Sequence, residues 1–360
     1  MIESHDMADT LVEAVINAAA ARQPLRIVGG NSKQLLMGRH CEATPLQVGG
    51  HRGIVDYTPE ELVITARAGT PIAEIESTLA AEGQTLASEP PRYNGTGTLG
   101  GTLACNLSGP ARPWCGALRD AVLGLRLIDG RGQHLRFGGR VMKNVAGYDV
   151  SRLQAGALGT LGVITEVSLK VMPRSEFTTT LAFATPAAQA IETMNRRAAL
   201  PSPLNGALWH AGRLFLRLSG ARSAVEQYAR EWGGEQVSQE DAPWDSLREM
   251  QAPLFDQAQD MQPPLYRLSV GSATSLGTLD EQCVIDWCGA LRWLTSEQEL
   301  ASVHNIAAAH GGHASLFRGG DRSGEVRAPL PSTQQALKHR LKQAFDPEAV
   351  FNPGRLYSWL

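Results

Sequence analysis

The sequence has few cysteines, no strong charge of either sign and no long hydrophobic run, and each absence removes a class of protein. Only five cysteines occur in 360 residues: Cys41, Cys105, Cys115, Cys283 and Cys288. An odd number with no C-x-x-C pair argues against a disulfide framework and against a zinc site, so no metal is expected. The spacing is also too wide for iron–sulfur ligation, so any such cluster that receives electrons from this chain lies on another chain. All five read as small buried or half-buried apolar residues. The formal net charge is −3, which provides no field for nucleic acid or an anionic membrane. No apolar run approaches the ~20 residues that span a bilayer. The N-terminus is acidic where a signal peptide would be basic. Together these features predict a cytoplasmic protein, peripheral at an inner membrane only through partners.

What the sequence does have is ordinary globular composition, 43% hydrophobic and 19% charged, with 37 glycines. Its length suits two domains or one large domain with an insertion. Thr10 and Glu13 read as a capping box for an N-terminal amphipathic helix. Thr70-Pro71 opens a second helix with Ile72, Ile75 and Leu79 on one face and Gly83 at its end. Residues 121–137 read as two strands joined through Asp129-Gly130. In 162–173, Val163, Val167, Leu169 and Val171 alternate with Glu166, Ser168 and Lys170, which predicts a strand with one wet face. From 177 the texture becomes strand, helix (186–198), two strands, helix (221–232) and two further strands, "PLYRLSVG" and "QCVIDWCGALRWL". That order predicts an α+β layer with helices on one face of an antiparallel sheet. A helix is expected over 333–344.

Three glycine-rich turns carry the chemistry. The first is Val28-Gly29-Gly30-Asn31-Ser32-Lys33, at the end of a strand. The second is "GTGTLGGTLACNLSGP" (95–110), with five glycines in sixteen residues. It is neither a P-loop nor a G-x-G-x-x-G dinucleotide fingerprint. The third is Gly159-Thr160-Leu161-Gly162, which runs into the strand at Val163-Ile164. Successive backbone amides in such turns form concave anion sites, and glycine lets backbone approach an anion where a Cβ would block it.

These blocks resemble the FAD-linked oxidase family with the vanillyl-alcohol oxidase or PCMH type of FAD-binding domain. Thr98-Leu99-Gly100-Gly101 followed by Asn106-Leu107-Ser108-Gly109 is similar to its T-I-G-G…N-x-G pattern. Gly147-Tyr148-Asp149-Val150 and Gly159–Thr165 are similar to its G-Y-D-L and G-T-L-G-I-I-T blocks, and Asn352-Pro353-Gly354-Arg355 to its closing N-P-G-K/R. The resemblance covers residues 1–173 and about the last twenty. It implies an α+β fold in which a two-subdomain PCMH-type FAD-binding domain (1–173) is followed by an α+β cap (174–330) and a C-terminal tail returning to the FAD domain (331–360). It implies FAD held by the 28–33 and 98–109 turns, with Ser32, Asn106 and Ser108 adding side-chain bonds, Thr102 in the same set, and Val163-Ile164 meeting the adenine. Gly159, Thr160, Gly162, Asn352 and Gly354 complete the expected cofactor set. The first turn has no histidine, so FAD is expected to be non-covalent.

Within the family the chain is similar to the short FAD-binding E subunits of glycolate oxidase, more than to the longer D-lactate dehydrogenase type. That likeness implies oxidation of glycolate, a small 2-hydroxy acid, to glyoxylate. It also implies partners, namely a second flavin subunit and an iron–sulfur subunit. The alternatives are a free-standing FAD-dependent D-2-hydroxy-acid dehydrogenase and a non-catalytic FAD-holding scaffold. The Gly-Asp-Gly-Asn-x-His segment of the longer members is missing; His310-Gly311-Gly312-His313 stands in its place without carboxylate or amide. Ala157-Leu158 also replaces the usual Ser-Glu. Oxidation of such an acid needs a base for the hydroxyl proton and a cation for the carboxylate. His310 and His313 are the candidates for the first, and Arg318 and Arg267 for the second. Asp149 reads as a local backbone cap, and Trp209, Trp244, Trp287 and Trp293 as core or interface aromatics of the cap.

Overall fold

The computed structural model describes residues 5–139, 148–251, 253–255 and 263–360; Gly147 of the G-Y-D block lies outside them. The N-terminal helix runs Ala8–Ala21 and buries Leu11, Val15 and Ala18. It starts two residues before Thr10, and the carboxylate of Asp6 accepts the Ala8 amide at 3.0 Å. The expected Thr10–Glu13 box is therefore not the start: Thr10 lies within the first turn. The strands Leu25–Val28 and Thr44–Gln47 pair in parallel beside this helix. A five-stranded antiparallel sheet follows, in the order Ile54–Thr58, Val63–Arg67, Val163–Lys170, Val122–Ile128, His134–Gly138.

The predicted wet face of Val163–Lys170 is largely dry, because this is the middle strand of the sheet and both its faces are covered. Ser168 is buried and pairs its hydroxyl with that of Thr65 at 2.8 Å. The helix Ile72–Ala81 presents Ile72, Ile75 and Leu79 to the core, as its spacing predicts. Thr70 does not cap it, for its hydroxyl is engaged with the backbone of Gly53.

Between residues 177 and 318 the chain builds an eight-stranded antiparallel sheet. Its order is Glu235–Val237, Phe177–Ala184, Arg213–Gly220, Leu204–His210, Cys283–Asp286, Leu291–Thr295, Leu265–Ser269, His313–Arg318. The helices Ala187–Ala198, Arg222–Trp232 and Leu300–Ala308 cover one face with Ile191, Met194, Val225 and Val303. The opposite face turns toward the first sheet's domain: Leu265, Val284, Leu291, Trp293 and Phe317 share a core with Leu36, and Met37, Tyr93 and Leu107 pack against it.

The single strand expected over "QCVIDWCGALRWL" is two strands joined by a tight bend. Trp287, Cys288 and Gly289 have φ of 52°, 55° and 97°. Left-handed conformations at two successive non-glycine residues are costly and persist only where surroundings enforce them. Here a Cβ at Gly289 would lie 2.2 Å from the Ser272 carbonyl, and the Trp287 indole donates to the Gly109 carbonyl of the other domain at 3.0 Å.

After the helix Ser332–Phe345 the tail returns to the first domain, where Phe351 bridges Leu25 in parallel. The Lys342 ammonium is buried and donates to Asp346 at 2.7 Å, the Thr160 carbonyl at 2.8 Å and the Phe351 carbonyl at 2.9 Å. Of the cysteines, Cys115 is exposed and the other four are buried, all as free thiols. Asp149 accepts the Arg152 amide and starts the short helix Val150–Leu153.

Candidate functional site

A cleft of about 970 Å³ opens between the glycine turns and the C-terminal tail. Val28, Gly29, Gly30, Asn31, Ser32 and Lys33 line it from the first turn, and Thr98, Gly100 and Gly101 from the second. Gly159, Gly162, Ile164 and Asn352 complete its far side. The two turns are packed backbone on backbone. A Cβ at Gly30 would sit 1.7 Å from the Thr96 carbonyl, one at Gly29 2.5 Å from the Thr98 hydroxyl, and one at Gly100 2.7 Å from Ala68. Gly29 and Gly30 therefore let the first turn pack on the second, and Gly100 lets the second pack on Ala68, while all three still line the cleft. Gly101 differs: its Cβ would point past Thr98 toward the Lys33 ammonium, 4.0 Å away.

Lys33 is a buried cation of the cleft, whose lining also includes Arg26 and Arg355. It is 8% exposed, sits 4.9 Å over the Tyr93 ring and, among the described residues, donates to the Ser32 hydroxyl at 3.3 Å. Burial lowers its pKa, and Cys105 and Glu249 nearby act in the opposite sense. A buried ammonium with no carboxylate at ion-pair distance suits an anionic ligand. The glycine turn at 28–33, a buried cation and a cleft walled by the second and third turns fit the pyrophosphate of FAD.

The tail fastens this cleft. Asn352 accepts the Ile27 amide at 2.8 Å and donates to the Leu158 carbonyl at 2.6 Å, tying the first turn to the third. Arg355, which the sequence reading left out of the site, gathers the carbonyls of Lys33, Gln34, Leu36 and Arg39 onto one guanidinium. Cys105 lines the same cleft, and burial raises its thiol pKa.

Other expected cofactor residues stand behind or beside the cleft. Thr102 and Val163 are fully buried. Thr160 donates to the Ala157 carbonyl. Asn106 ends the helix Leu99–Cys105 with φ of 50° and accepts the Arg119 amide at 3.4 Å. Ser108 accepts the Leu118 amide. Gly354, with φ of 68°, gives its carbonyl to Arg39. Ser108 and Gly109 instead line a second cavity of about 350 Å³, together with Tyr93 from the same domain and Asp286, Trp293 and Phe317 from the eight-stranded sheet.

The lining of that second cavity is mostly apolar, yet it includes residues with unpartnered polar atoms. The Tyr93 hydroxyl and the Trp293 indole nitrogen are both buried without a hydrogen-bond partner. Asp286 is 3% exposed and accepts its neighbour's amide at 2.6 Å. Burial pushes its carboxyl up to about 8, partly offset by that amide and by Arg217 and Arg267. The junction around it is pinned by ion pairs between the domains. Arg217 meets Glu89 at 2.9 Å. Glu76 pairs with Arg248 and Arg92, and Glu249 accepts the amides of Arg92 and Tyr93.

The catalytic candidates separate. His310 is exposed at the end of the helix Leu300–Ala308, with Nδ1 3.0 Å from the Ile306 carbonyl. His313 begins the neighbouring strand, in register with Ser269; burial lowers its pKa, with Arg267, His304 and Arg327 adding to the effect. Arg318 is engaged with the Met250 carbonyl at 3.4 Å. Arg267 stands over the Trp287 ring at 5.2 Å, and Arg112 covers the same ring at 4.4 Å. Among the described residues, no group of three or more histidine, cysteine or carboxylate side chains could hold a metal ion, and no helix is long and apolar enough to cross a membrane.

An FAD binding domain family matches residues 6–138. The chain is similar to glycolate oxidase subunit GlcE of Escherichia coli (strain K12), at 44% identity over 360 residues that span both proteins entirely. It is also similar to glycolate oxidase subunit GlcD of Bacillus subtilis (strain 168), at 35% identity over 129 residues, 36% of this chain and 27% of that protein. A D-lactate dehydrogenase of Anaerostipes hadrus matches at 32% identity over 120 residues, 33% of this chain and 25% of that protein. Among solved structures, alkyldihydroxyacetonephosphate synthase superposes with a TM-score of 0.68 at 15% identity, covering 96% of this chain and 74% of that one.

Proposed function

This chain belongs to the glycolate oxidase subunit GlcE family of FAD-binding oxidoreductases, and from that premise we propose that it is the FAD-holding subunit of a complex that oxidises glycolate to glyoxylate. The observation that carries the reading is the identity with a glycolate oxidase subunit along the whole of both chains. In this reading the cofactor is non-covalent. Its electrons leave through a second flavin subunit and an iron–sulfur subunit, and the chain meets a membrane only through those partners.

FAD supplies the acceptor for the hydride that leaves the α-carbon of a 2-hydroxy acid. The residues of this chain do the rest. The turn at 28–33 would offer its backbone amides to the pyrophosphate and the Lys33 ammonium would balance its charge; the amides of Leu99, Gly100 and Gly101 go to the Thr70 and Ala68 carbonyls and the Thr98 hydroxyl, so the second turn would contribute shape to the site. Asn352 and Arg355 hold the first turn in shape, by the hydrogen bonds to Ile27, Leu158 and the 33–39 carbonyls. The wall of the second cavity keeps water from the junction between the domains, with Trp293, Phe317 and Leu107 as its apolar lining. Residues 177–318 thus act as the cap of the FAD domain. Arg267 and His313 remain candidates for the substrate's carboxylate and hydroxyl proton, and both lie on strands of the cap sheet. His310, turned to its own helix, is not retained in the proposal.

Purified partner chains should turn over glycolate with a redox dye only when this chain is added, and the product should be trapped as the hydrazone of glyoxylate. Equal turnover without this chain would reject the reading.

A further inference from the structure

Direct neighbours across an antiparallel sheet point their side chains to the same face. In the cap, Val284 is opposite Trp293, Trp293 opposite Arg267 and Arg267 opposite Ser315. Ser315 in turn bridges Arg327. The row begins in the apolar core shared with the FAD domain, through Val284 and Trp293. It ends in two arginines with a serine between them, on that same face.

Neither guanidinium has a hydrogen-bonding or ion-pair partner among the described residues, and the Arg327 Nε is fully buried without one. The charges around them are mostly of the same sign. Arg112 and Arg327 act on Arg267, while Arg322, Arg355, Lys338 and His313 all feel Arg327. The one carboxylate that couples to Arg267 is Asp286, which is itself buried beside the Arg217–Glu89 pair. Unpaired guanidiniums grouped in a low-dielectric junction are costly without an anion to complete them. Neither Arg267 nor Arg327 is among the residues that line the FAD cleft.

We propose that Arg267 and Arg327, flanking Ser315, form an anion subsite on the FAD-facing surface of the cap that takes the carboxylate of a small organic acid. The pair rests on the functional reading above and names the cation that the reaction needs. Two strand spacings separate the arginine backbones, about 10 Å, with Ser315 between them in the row, and the two guanidiniums stand close enough to act on one another. Guanidinium forks match a carboxylate edge in two parallel hydrogen bonds. Stacking on Trp287, between Arg112 and Arg267, orients one of the two planes. Arg318, the sequence's first choice, is already committed to Met250.

The test uses the full FAD-loaded chain and oxalate, which has a carboxylate but no α-hydrogen. Oxalate should bind saturably, seen as a perturbation of the flavin spectrum and as heat in calorimetry. Arg267→Met and Arg327→Met should each weaken it about 10- to 100-fold, with flavin content unchanged. Arg327→Lys should recover part of the loss, and inorganic phosphate at equal ionic strength should compete poorly. Absence of oxalate binding, wild-type affinity in both methionine variants, or equal competition by phosphate would each overturn the subsite. Arginine-dependent oxalate binding in a protein whose flavin glycolate never reduces, even with partner chains present, would keep the subsite and remove the glycolate reading. Flavin reduction by glycolate that ignores both arginines would do the reverse.

Discussion

Gly101→Asp isolates the second glycine turn from the packing role of its neighbours. Gly101 lies in the helix Leu99–Cys105 with ordinary helical backbone, and its Cβ would meet only the Thr98 hydroxyl, at 3.1 Å, with Lys33 Nζ at 4.0 Å beyond. The new carboxylate lands beside the Lys33 ammonium and pairs with it. Two losses follow for FAD. The cation no longer serves the pyrophosphate, and a negative charge stands where that anion belongs. At about 5 Å and an effective dielectric of about 20, each such charge term is worth about 3 kcal/mol. A single term weakens FAD by more than about 100-fold. The fold itself should persist, because an acidic residue in the first turn of a helix is favourable and Thr98 needs to shift by only a few tenths of an ångström. The assay is FAD content by visible absorbance, with affinity from quenching of FAD fluorescence and the thermal midpoint of the apoprotein as control. A folded Gly101→Asp protein with wild-type FAD content would refute the assignment of this turn to the pyrophosphate.

Three further outcomes follow from the same contacts. Asn352→Ala strips a buried amide at Ile27 and a buried carbonyl at Leu158 of their partner, which costs about 2–4 kcal/mol in denaturant unfolding; a loss below about 0.5 kcal/mol would contradict the tail's role as a fastener. Arg355→Met releases the carbonyls of the 33–39 segment, and FAD affinity should fall by about tenfold or more, measured by equilibrium dialysis; unchanged affinity would show that the turn holds its shape unaided. Burial raises the Asp286 carboxyl to about 8, far above its unfolded value of about 4, so the folded state binds a proton that the unfolded state has released between those values. The stability linked to it is fully present below pH of about 4 and is lost as pH rises toward 8, by at most about 1.4 kcal/mol per pH unit. Asp286→Asn should flatten that slope in urea midpoints from pH 5 to 8, and parallel curves for the two proteins would reject the buried-acid assignment.

The glycine turns were legible because their constraint is local: a strand and a turn are written in adjacent residues, although the second turn's amides go to Thr70, Ala68 and Thr98. Their reason was only partly legible. Gly29, Gly30 and Gly100 answer to Thr98, Thr96 and Ala68, and sequence spacing cannot distinguish contact with a ligand from contact with another turn. The bend at Trp287–Gly289 was hidden for a related cause. Tryptophan and cysteine disfavour left-handed backbone, and what enforces it here, Ser272 and Gly109, is distant in sequence. His310 and His313 looked like a pair, yet one closes a helix and the other opens a strand. The row from Trp293 through Arg267 and Ser315 to Arg327 depends on register between four separate segments, which no local pattern encodes. Core faces with clear periodicity, such as Ile72, Ile75 and Leu79, came through intact because burial there follows from a single helix.

The central claim is that this chain holds FAD and that its flavin serves glycolate oxidation within a complex. The anaerobic visible spectrum of the purified chain, recorded before and after glycolate, alone and then with the second flavin and iron–sulfur subunits, tests it most directly. The account predicts a yellow protein whose flavin bands persist with glycolate alone and bleach once the partner subunits are present. A correctly folded chain without flavin absorbance, or flavin bands that glycolate never bleaches in the assembled complex, would contradict it.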